Sequence, residues 1–334
     1  MLRIWLSDCR SHVSDNVDFE SLNLCQPLLK ALDEIGYVTP TPIQEQAIPL
    51  LIEGNDMLGC AQTGTGKTAA FSLPILDAMA EDPWSGKPQI RVLMLCPTRE
   101  LASQIRDNIE EYSRHLDIRS MVMFGGVSQR PQVKLLRQGV DILIATPGRL
   151  LDLIGQGHVD LSYVQFLVLD EADRMLDMGF IRDIRKILAQ IPEDRQSLLF
   201  SATMPSSIVE LSRDMLYEPV RVEVSPESST VEAIEQSLMF VMKKDKRDLL
   251  THLIRDESPE KVLVFSRTKH GCNRIVKQLA QDEIEALAIH GNKSQGAREK
   301  ALGRFREGSL QVLVATDVAS RGIDVSDILS LIHI

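Results

Sequence analysis

An apolar run at 56–60 leads into the loop Ala61-Gln62-Thr63-Gly64-Thr65-Gly66, and Lys67-Thr68 then opens a helical pattern that continues to residue 80. A short strand, a glycine turn and a helix in that order are the start of a βαβ unit. More apolar runs follow at 91–96, 120–124, 142–145, 166–170 and 196–201, with amphipathic stretches such as 99–116 and 181–191 between them. These runs are apolar at nearly every position rather than at alternate ones, as strands covered on both faces must be. The expected class is therefore α/β, with parallel sheets flanked by helices.

The pattern breaks near 218–235, where Pro219, Pro226 and Glu227-Ser228-Ser229-Thr230 read as a connector. It resumes with apolar runs at 261–265, 285–290 and 311–315 and helical patterns at 270–281 and 295–306. Two α/β domains are expected, at 18–218 and 234–334, with a linker at 219–233 and a poorly ordered tail at 1–17. The length of 334 residues suits two domains. Only three strands are clear in the second, which predicts an incomplete sheet with an exposed apolar edge. No apolar run approaches the ~20 residues needed to cross a bilayer, and the N-terminus lacks the features of a signal peptide. None of the five cysteines has C-x-x-C spacing, so neither zinc nor a redox pair is indicated, and a reducing cytoplasm fits. A net charge of −10 excludes a protein held on nucleic acid by bulk charge, but not one with a local groove for phosphates.

The loop at 61–68 carries chemistry. Backbone N–H groups of such a turn, with Lys67, cradle phosphates, and the Thr68 hydroxyl is placed for Mg²⁺. Downstream, the apolar run ending at Leu169 is followed by Asp170-Glu171-Ala172-Asp173. An acidic helix start accounts for Asp173 through the helix dipole. It does not account for two adjacent carboxylates at a strand end. Those suit a metal-holding Asp170 and a water-activating Glu171, and with the loop they indicate a nucleoside triphosphatase.

These residues spell DEAD, and from Phe19 to Asp324 the chain resembles the DEAD-box ATP-dependent RNA helicases, most like their bacterial RhlE-type subgroup. The resemblance implies two RecA-like P-loop domains that bind ATP, Mg²⁺ and single-stranded or short duplex RNA, and that unwind duplexes locally or remodel RNA–protein complexes. Pro40-Thr41-Pro42-Ile43-Gln44 is similar to the Q motif, implying adenine recognition by Gln44 beside Pro42, with Phe19 as the upstream aromatic. The nucleotide set is then Phe19, Pro42, Gln44, Ala61, Gln62, Thr63, Gly64, Thr65, Gly66, Lys67, Thr68 and, on the ribose, Asp324. Lys67, Asp170, Glu171, Ser201 and Thr203 would form the catalytic set, the Ser201-Ala202-Thr203 hydroxyls bonding to the DEAD acids. Thr68 and Asp170 would hold Mg²⁺. RNA contacts are implied for Thr98, Arg99, Gly125, Gly126, Thr146, Gly148 and Arg149, and in the second domain for Gln295, Arg298, Thr316 and Gly322. Such contacts read the backbone and carry little sequence specificity.

The family's His-Arg-x-Gly-Arg-x-x-Arg run is absent from residues 1–334, and the residues after Asp324 depart from the family pattern. The run 315–324 is similar to the family's motif V, and the second domain is accordingly expected to be truncated after it, with a foreign end at 325–334. Loss of an arginine finger costs roughly 10³–10⁵ in rate in related NTPases. The alternative to an active helicase is therefore an ATP- and RNA-binding fragment without productive turnover. A DNA translocase is the third possibility, opposed by the Gln44 and DEAD elements.

Overall fold

A computed structural model describes residues 18–62, 64–224, 237–256, 260–316 and 330–333. Two parallel sheets organise it. The first holds β1 (Met57–Cys60), β2 (Val92–Leu95), β3 (Ser120–Met123), β4 (Ile142–Ala145), β5 (Phe166–Leu169), β6 (Gln196–Ser201) and β7 (Val220–Glu223), in the spatial order β3-β4-β2-β5-β6-β1-β7. The second holds β8 (Val262–Phe265), β9 (Ala286–Ile289), β10 (Val312–Ala315) and β11 (Ser330–His333), in the order β11-β8-β10-β9. All pairings are parallel; β1, for example, sets Cys60 beside Ser201 of β6.

The helices of the first domain are α1 (Gln26–Glu34), α2 (Pro42–Ile52), α3 (Lys67–Glu81), α4 (Arg99–Tyr112), α5 (Gln129–Gln138), α6 (Pro147–Gly155), α7 (Ala172–Asp177), α8 (Ile181–Leu188) and α9 (Ser206–Met215). Those of the second are α10 (Lys246–Asp256), α11 (Lys269–Gln281) and α12 (Gln295–Arg306). Two apolar layers sandwich the first sheet. Phe71, Ile75, Val92, Met94 and Phe200 lie in one, and Leu93, Leu95, Leu143, Leu167 and Leu199 in the other. Adjacent residues of β2 thus face opposite layers, and this two-sided burial is why its sequence is apolar throughout. Helix starts are set locally. The Thr98 hydroxyl accepts the Leu101 N–H at 3.3 Å, and Pro42 and Pro147 occupy first helical positions, where no N–H is required.

Two expectations are corrected. Residues 220–223, assigned to the linker, form β7 and pair with β1, so the first sheet runs past residue 218. Val220-Arg221-Val222-Glu223 alternates apolar and charged because it is an edge strand with one buried face, and only Val222 is fully buried. The second sheet is not three strands with a bare edge, since β11 covers β8 and pairs Ile332 with Val264. The tail at 1–17 and the remainder of the linker, 225–233, lie outside the described residues. Among the described residues no helix is long and apolar enough to cross a membrane, and Cys25, Cys60 and Cys96 are free thiols.

Candidate nucleotide and nucleic-acid site

The sheet order brings three strand ends together. β5, β6 and β1 are neighbours, so the DEAD residues, Ser201-Ala202-Thr203 and the loop after Cys60 emerge side by side at their carboxyl ends. In open α/β sheets this is the edge where ligands bind.

The phosphate loop is tightly built. Gly66 caps α3 with φ at +89°, and a Cβ there would stand 2.5 Å from Gln44 Nε2. Only glycine fits both the left-handed backbone and the space. Gln44 is buried; its Nε2 donates to the Gly66 carbonyl at 3.1 Å and its Oε1 accepts the Thr41 N–H at 2.9 Å. The glutamine therefore ties the start of α2 to the phosphate loop. Lys67 is buried and donates to the Ala61 carbonyl at 2.9 Å. Thr65 closes the turn onto the Gln62 carbonyl at 2.8 Å, while Gln62 and Gly64 are exposed. Thr68 lies in the first turn of α3, partly buried. Pro42 is exposed at the start of α2. Phe19 is buried, and its ring packs on Tyr37 at 6.1 Å between centroids. Thr63 lies outside the described residues, as do Gly322 and Asp324.

The three DEAD acids occupy different environments. Asp170 is buried and accepts the Glu171 N–H at 2.9 Å. Burial pushes its carboxyl up to about 6 against the opposing pull of the Lys67 ammonium, with Glu171 and Asp173 adding to the rise. Glu171 has φ at +53° and caps α7. Its carboxylate accepts from Arg174 Nη1 at 2.5 Å, one helical turn on. Asp173 accepts both the backbone N–H and the hydroxyl of Thr203, at 3.0 and 2.8 Å, and its own N–H donates to Ser201 Oγ at 3.3 Å. The hydroxyl-bearing segment thus binds Asp173, while Asp170 and Glu171 are held by other groups. A buried oxygen donor whose ionisation burial disfavours, close enough to the start of α3 to feel the Lys67 ammonium, suits a hard divalent cation such as Mg²⁺.

The residues expected to meet RNA sit at the ends of β2, β3 and β4, farther along the same edge. A cleft of about 390 Å³ is lined by Thr98, Arg99, Gly125, Thr146, Gly148 and Arg149 of the first domain and by Gly291 and Arg298 of the second. Gly126 has φ at +73°, and a Cβ there would strike the Arg99 guanidinium. Arg149 Nη2 donates to the Val127 carbonyl at 3.2 Å. Burial and the nearby Arg298 lower the pKa of Arg99. Thr316 follows β10 and donates its N–H to the Ile289 carbonyl at 3.3 Å.

Sequence reasoning missed two groups. Arg174 could have been found, because three residues after Glu171 on a helix is a facing position. Glu100 gave no local signal. It is buried and pairs across the domains with Arg298 at 2.9 Å, while Gln295 Nε2 donates to it at 3.4 Å and Arg99 donates to Gln295 Oε1 at 3.4 Å.

Comparison with known proteins agrees with this geometry. The DEAD/DEAH box helicase family model matches residues 41–211, and the helicase conserved C-terminal domain model matches 245–334. That second match continues past Asp324 to residue 334, so the expected departure from the family there does not hold. The chain is 44% identical over 311 residues to the ATP-dependent RNA helicase DeaD of Klebsiella pneumoniae, covering 93% of this chain and 48% of DeaD. It is 42% identical over 310 residues to the ATP-dependent RNA helicase CshA of Limosilactobacillus reuteri, covering 93% and 62%. The chain thus spans about half to two thirds of the length of the curated relatives it matches. Among solved structures, S. cerevisiae Dbp5 bound to RNA and ADP BeF3 is similar with a TM-score of 0.83 at 30% identity, over 94% of this chain and 79% of that one. A DEAD box protein from the hyperthermophile Methanococcus jannaschii gives 0.59 at 36% identity, over 95% and 84%. With both RecA-like domains matched and the motif residues gathered along one sheet edge, the chain belongs to the DEAD/DEAH box helicase family.

Proposed function

We propose that this chain is an ATP-dependent RNA helicase engine, which separates short RNA duplexes or remodels RNA–protein complexes locally. One observation carries the reading: a single cleft is lined from one side by Thr98, Arg99, Thr146 and Arg149 and from the other by Arg298, with the buried Glu100–Arg298 pair across it. The domain arrangement supports it. The TM-score is 0.83 against Dbp5 bound to RNA and ADP BeF3, and 0.73 against a Dbp5 variant bound to Gle1. We place the chain with the bacterial RhlE-type enzymes on the run His290-Gly291-Asn292-Lys293-Ser294-Gln295, and the protein in the cytoplasm on its free thiols.

In this reading, Gln44 selects adenine once nucleotide displaces its bond to Gly66. Lys67 leaves the Ala61 carbonyl to meet phosphate, and the loop N–H groups bind the remaining phosphate oxygens. Thr68 and Asp170 would hold Mg²⁺, which supplies charge neutralisation on the phosphates. Glu171 takes the proton of the attacking water. Asp173 passes the state of the nucleotide site to Ser201 and Thr203. Thr98, Arg99, Gly125, Gly126, Thr146, Gly148 and Arg149 hold one strand by its backbone, with Gln295, Arg298 and Thr316 from the other domain. Gly322 on the RNA and Asp324 on the ribose complete the set. Closing both domains on one strand displaces its partner, a ligand-biased two-state closure.

The test is ATP turnover with and without single-stranded RNA, for the wild type and Glu171→Gln. RNA-stimulated turnover that the substitution removes supports the reading. Nucleotide binding that Lys67→Ala removes, with no turnover under any condition, would leave a binding protein instead. Stronger stimulation by single-stranded DNA than by RNA would move the substrate to DNA.

A further inference from the structure

The chain has 47 acidic residues in 334, yet from Ile118 to Val140 there is none. That acid-free run contains β3, the Gly125-Gly126 turn and α5. Arg130, Lys134 and Arg137 fall on α5 at i, i+4 and i+7, and so share one face. All three are exposed. None is paired with a carboxylate among the described residues, whereas these cations on other helices of the domain are paired: Arg106 with Asp107 at 2.6 Å, Arg149 with Asp152 at 3.6 Å and Arg185 with Asp214 at 3.0 Å. The three cations, with Gln129 and His158, line an open concavity of about 460 Å³ that contains no acidic side chain. An acidic protein that keeps one helix face basic and unpaired presents a local anion-binding surface, which its net charge conceals.

The concavity also has a position. α5 leaves directly from the Gly125-Gly126 turn, and Gly125 lines the cleft between the domains. At the start of α5, Arg149 binds the Val127 carbonyl at 3.2 Å, and Gln129 Nε2 donates to Gln156 Oε1 at 2.8 Å. Those bonds fasten α5 to α6, whose own first turn supplies Gly148 and Arg149 to the cleft. The basic face therefore begins where the cleft ends, on a rigid element joined to it.

We propose that the Arg130–Lys134–Arg137 face of α5 is a second phosphate-backbone site, which holds RNA flanking the segment bound in the cleft. This rests on the RNA-binding reading above and extends its footprint. Three cations along one helix face, with no Phe, Tyr or Trp among the concavity residues, suit phosphates rather than bases. The site should therefore be indifferent to sequence and steeply dependent on salt. It would let a longer RNA be retained on α5 while the cleft opens between rounds of turnover.

The experiment compares two RNAs on the wild type and on the triple variant Arg130→Gln, Lys134→Gln, Arg137→Gln. One RNA is just long enough to fill the cleft; the other carries the same sequence extended at each end in turn. The substitutions are exposed and neutral, so an unchanged melting temperature confirms the fold. The wild type should bind one extended RNA more tightly than the short one. The variant should bind the short RNA as the wild type does and lose the advantage of the extension. For three single-strand phosphate contacts, the slope of log affinity against log salt should fall by about 2, equivalent to roughly 100-fold in affinity near 0.1 M salt. Unchanged affinity and slope for the extended RNA in the variant would overturn the proposal and leave an acidic protein surface as the partner for α5. If the wild type binds neither RNA, the RNA-binding reading fails, and this proposal with it. Normal short-RNA binding with no response to the substitutions removes the α5 site alone.

Discussion

Asp170→Asn separates what the nucleotide site contributes to chemistry from what it costs in stability. In the folded protein burial raises the Asp170 carboxyl from 3.8 to about 6. In the unfolded chain it returns to its ordinary value. Between about pH 4 and pH 6 the folded state therefore keeps a proton that the unfolded state has released, and stability falls as pH rises through that window. Above it the penalty is complete. The gap between 3.8 and about 6, at ~1.36 kcal/mol per pH unit, is about 3 kcal/mol. Asparagine keeps the shape, and its amide oxygen can still accept the Glu171 N–H, but it carries no charge. In metal-free buffer above pH ~7, Asp170→Asn should stabilise the first domain by about 3 kcal/mol, or ~6–12 °C in melting temperature for a domain of this size. Near pH ~4 the two proteins should unfold together. Trp84 packs on the Tyr163 ring of the first domain at 5.7 Å between centroids, so the change in its emission during denaturant unfolding reports that domain. ATP turnover of the variant should be lost throughout. Equal stability above pH ~7, or a difference independent of pH, would refute the argument that a buried charge only partly offset by Lys67 is held at this strand end.

Gly66→Ala should abolish nucleotide binding while the fold survives, because the new methyl group meets Gln44 Nε2 at 2.5 Å with φ at +89°; titration with a fluorescent ATP analogue measures it. Gly59→Ala would place a Cβ 2.5 Å from the Phe200 ring, an overpacking worth ~1–3 kcal/mol, and Phe200→Leu in the same chain should return part of the lost melting temperature. Glu100→Gln strands the Arg298 guanidinium at 10% side-chain exposure; removal of one partner from a buried pair costs ~3–5 kcal/mol. The domains can part and let Arg298 hydrate, so the loss should appear as a smaller closed population, read by energy transfer between dyes on the two domains in the presence of ATP analogue and RNA. Arg298→Gln should do the same, and the double variant should be no worse than either single change.

Legibility in the sequence followed burial and locality. β2, β4 and β5 are buried on both faces and so carry no polar residue, which made them plain. β7 was hidden because an edge strand with one wet face can hold Arg221 and Glu223, and Pro219 before it reads as a connector. β11 was hidden because four residues pair into a sheet whose nearest strand in sequence, β10, is not their neighbour in space. At the site, residue types and spacing located the phosphate loop and the strand-end acids. They could not locate the Glu100–Arg298 pair, which joins positions nearly two hundred residues apart.

Adjacency in sequence also concealed how differently the DEAD acids are held. Asp170 ends a strand and is sealed from water. Glu171, the next residue, turns into the left-handed region, a conformation that costs a non-glycine residue ~1–2 kcal/mol. The turn starts α7 there, and the Arg174 side chain, one turn later, holds the Glu171 carboxylate. Two neighbouring carboxylates pointing the same way would raise each other's pKa, and one would stay protonated. Here the Arg174 guanidinium binds the Glu171 carboxylate, while burial disfavours the charge on Asp170. Asp173, in the first turn of the helix, accepts the Thr203 N–H and hydroxyl on Oδ2 and the Arg174 N–H on Oδ1. Three carboxylates within four consecutive positions therefore meet three different surroundings, because a strand end, a left-handed residue and a first helical turn aim them in three directions.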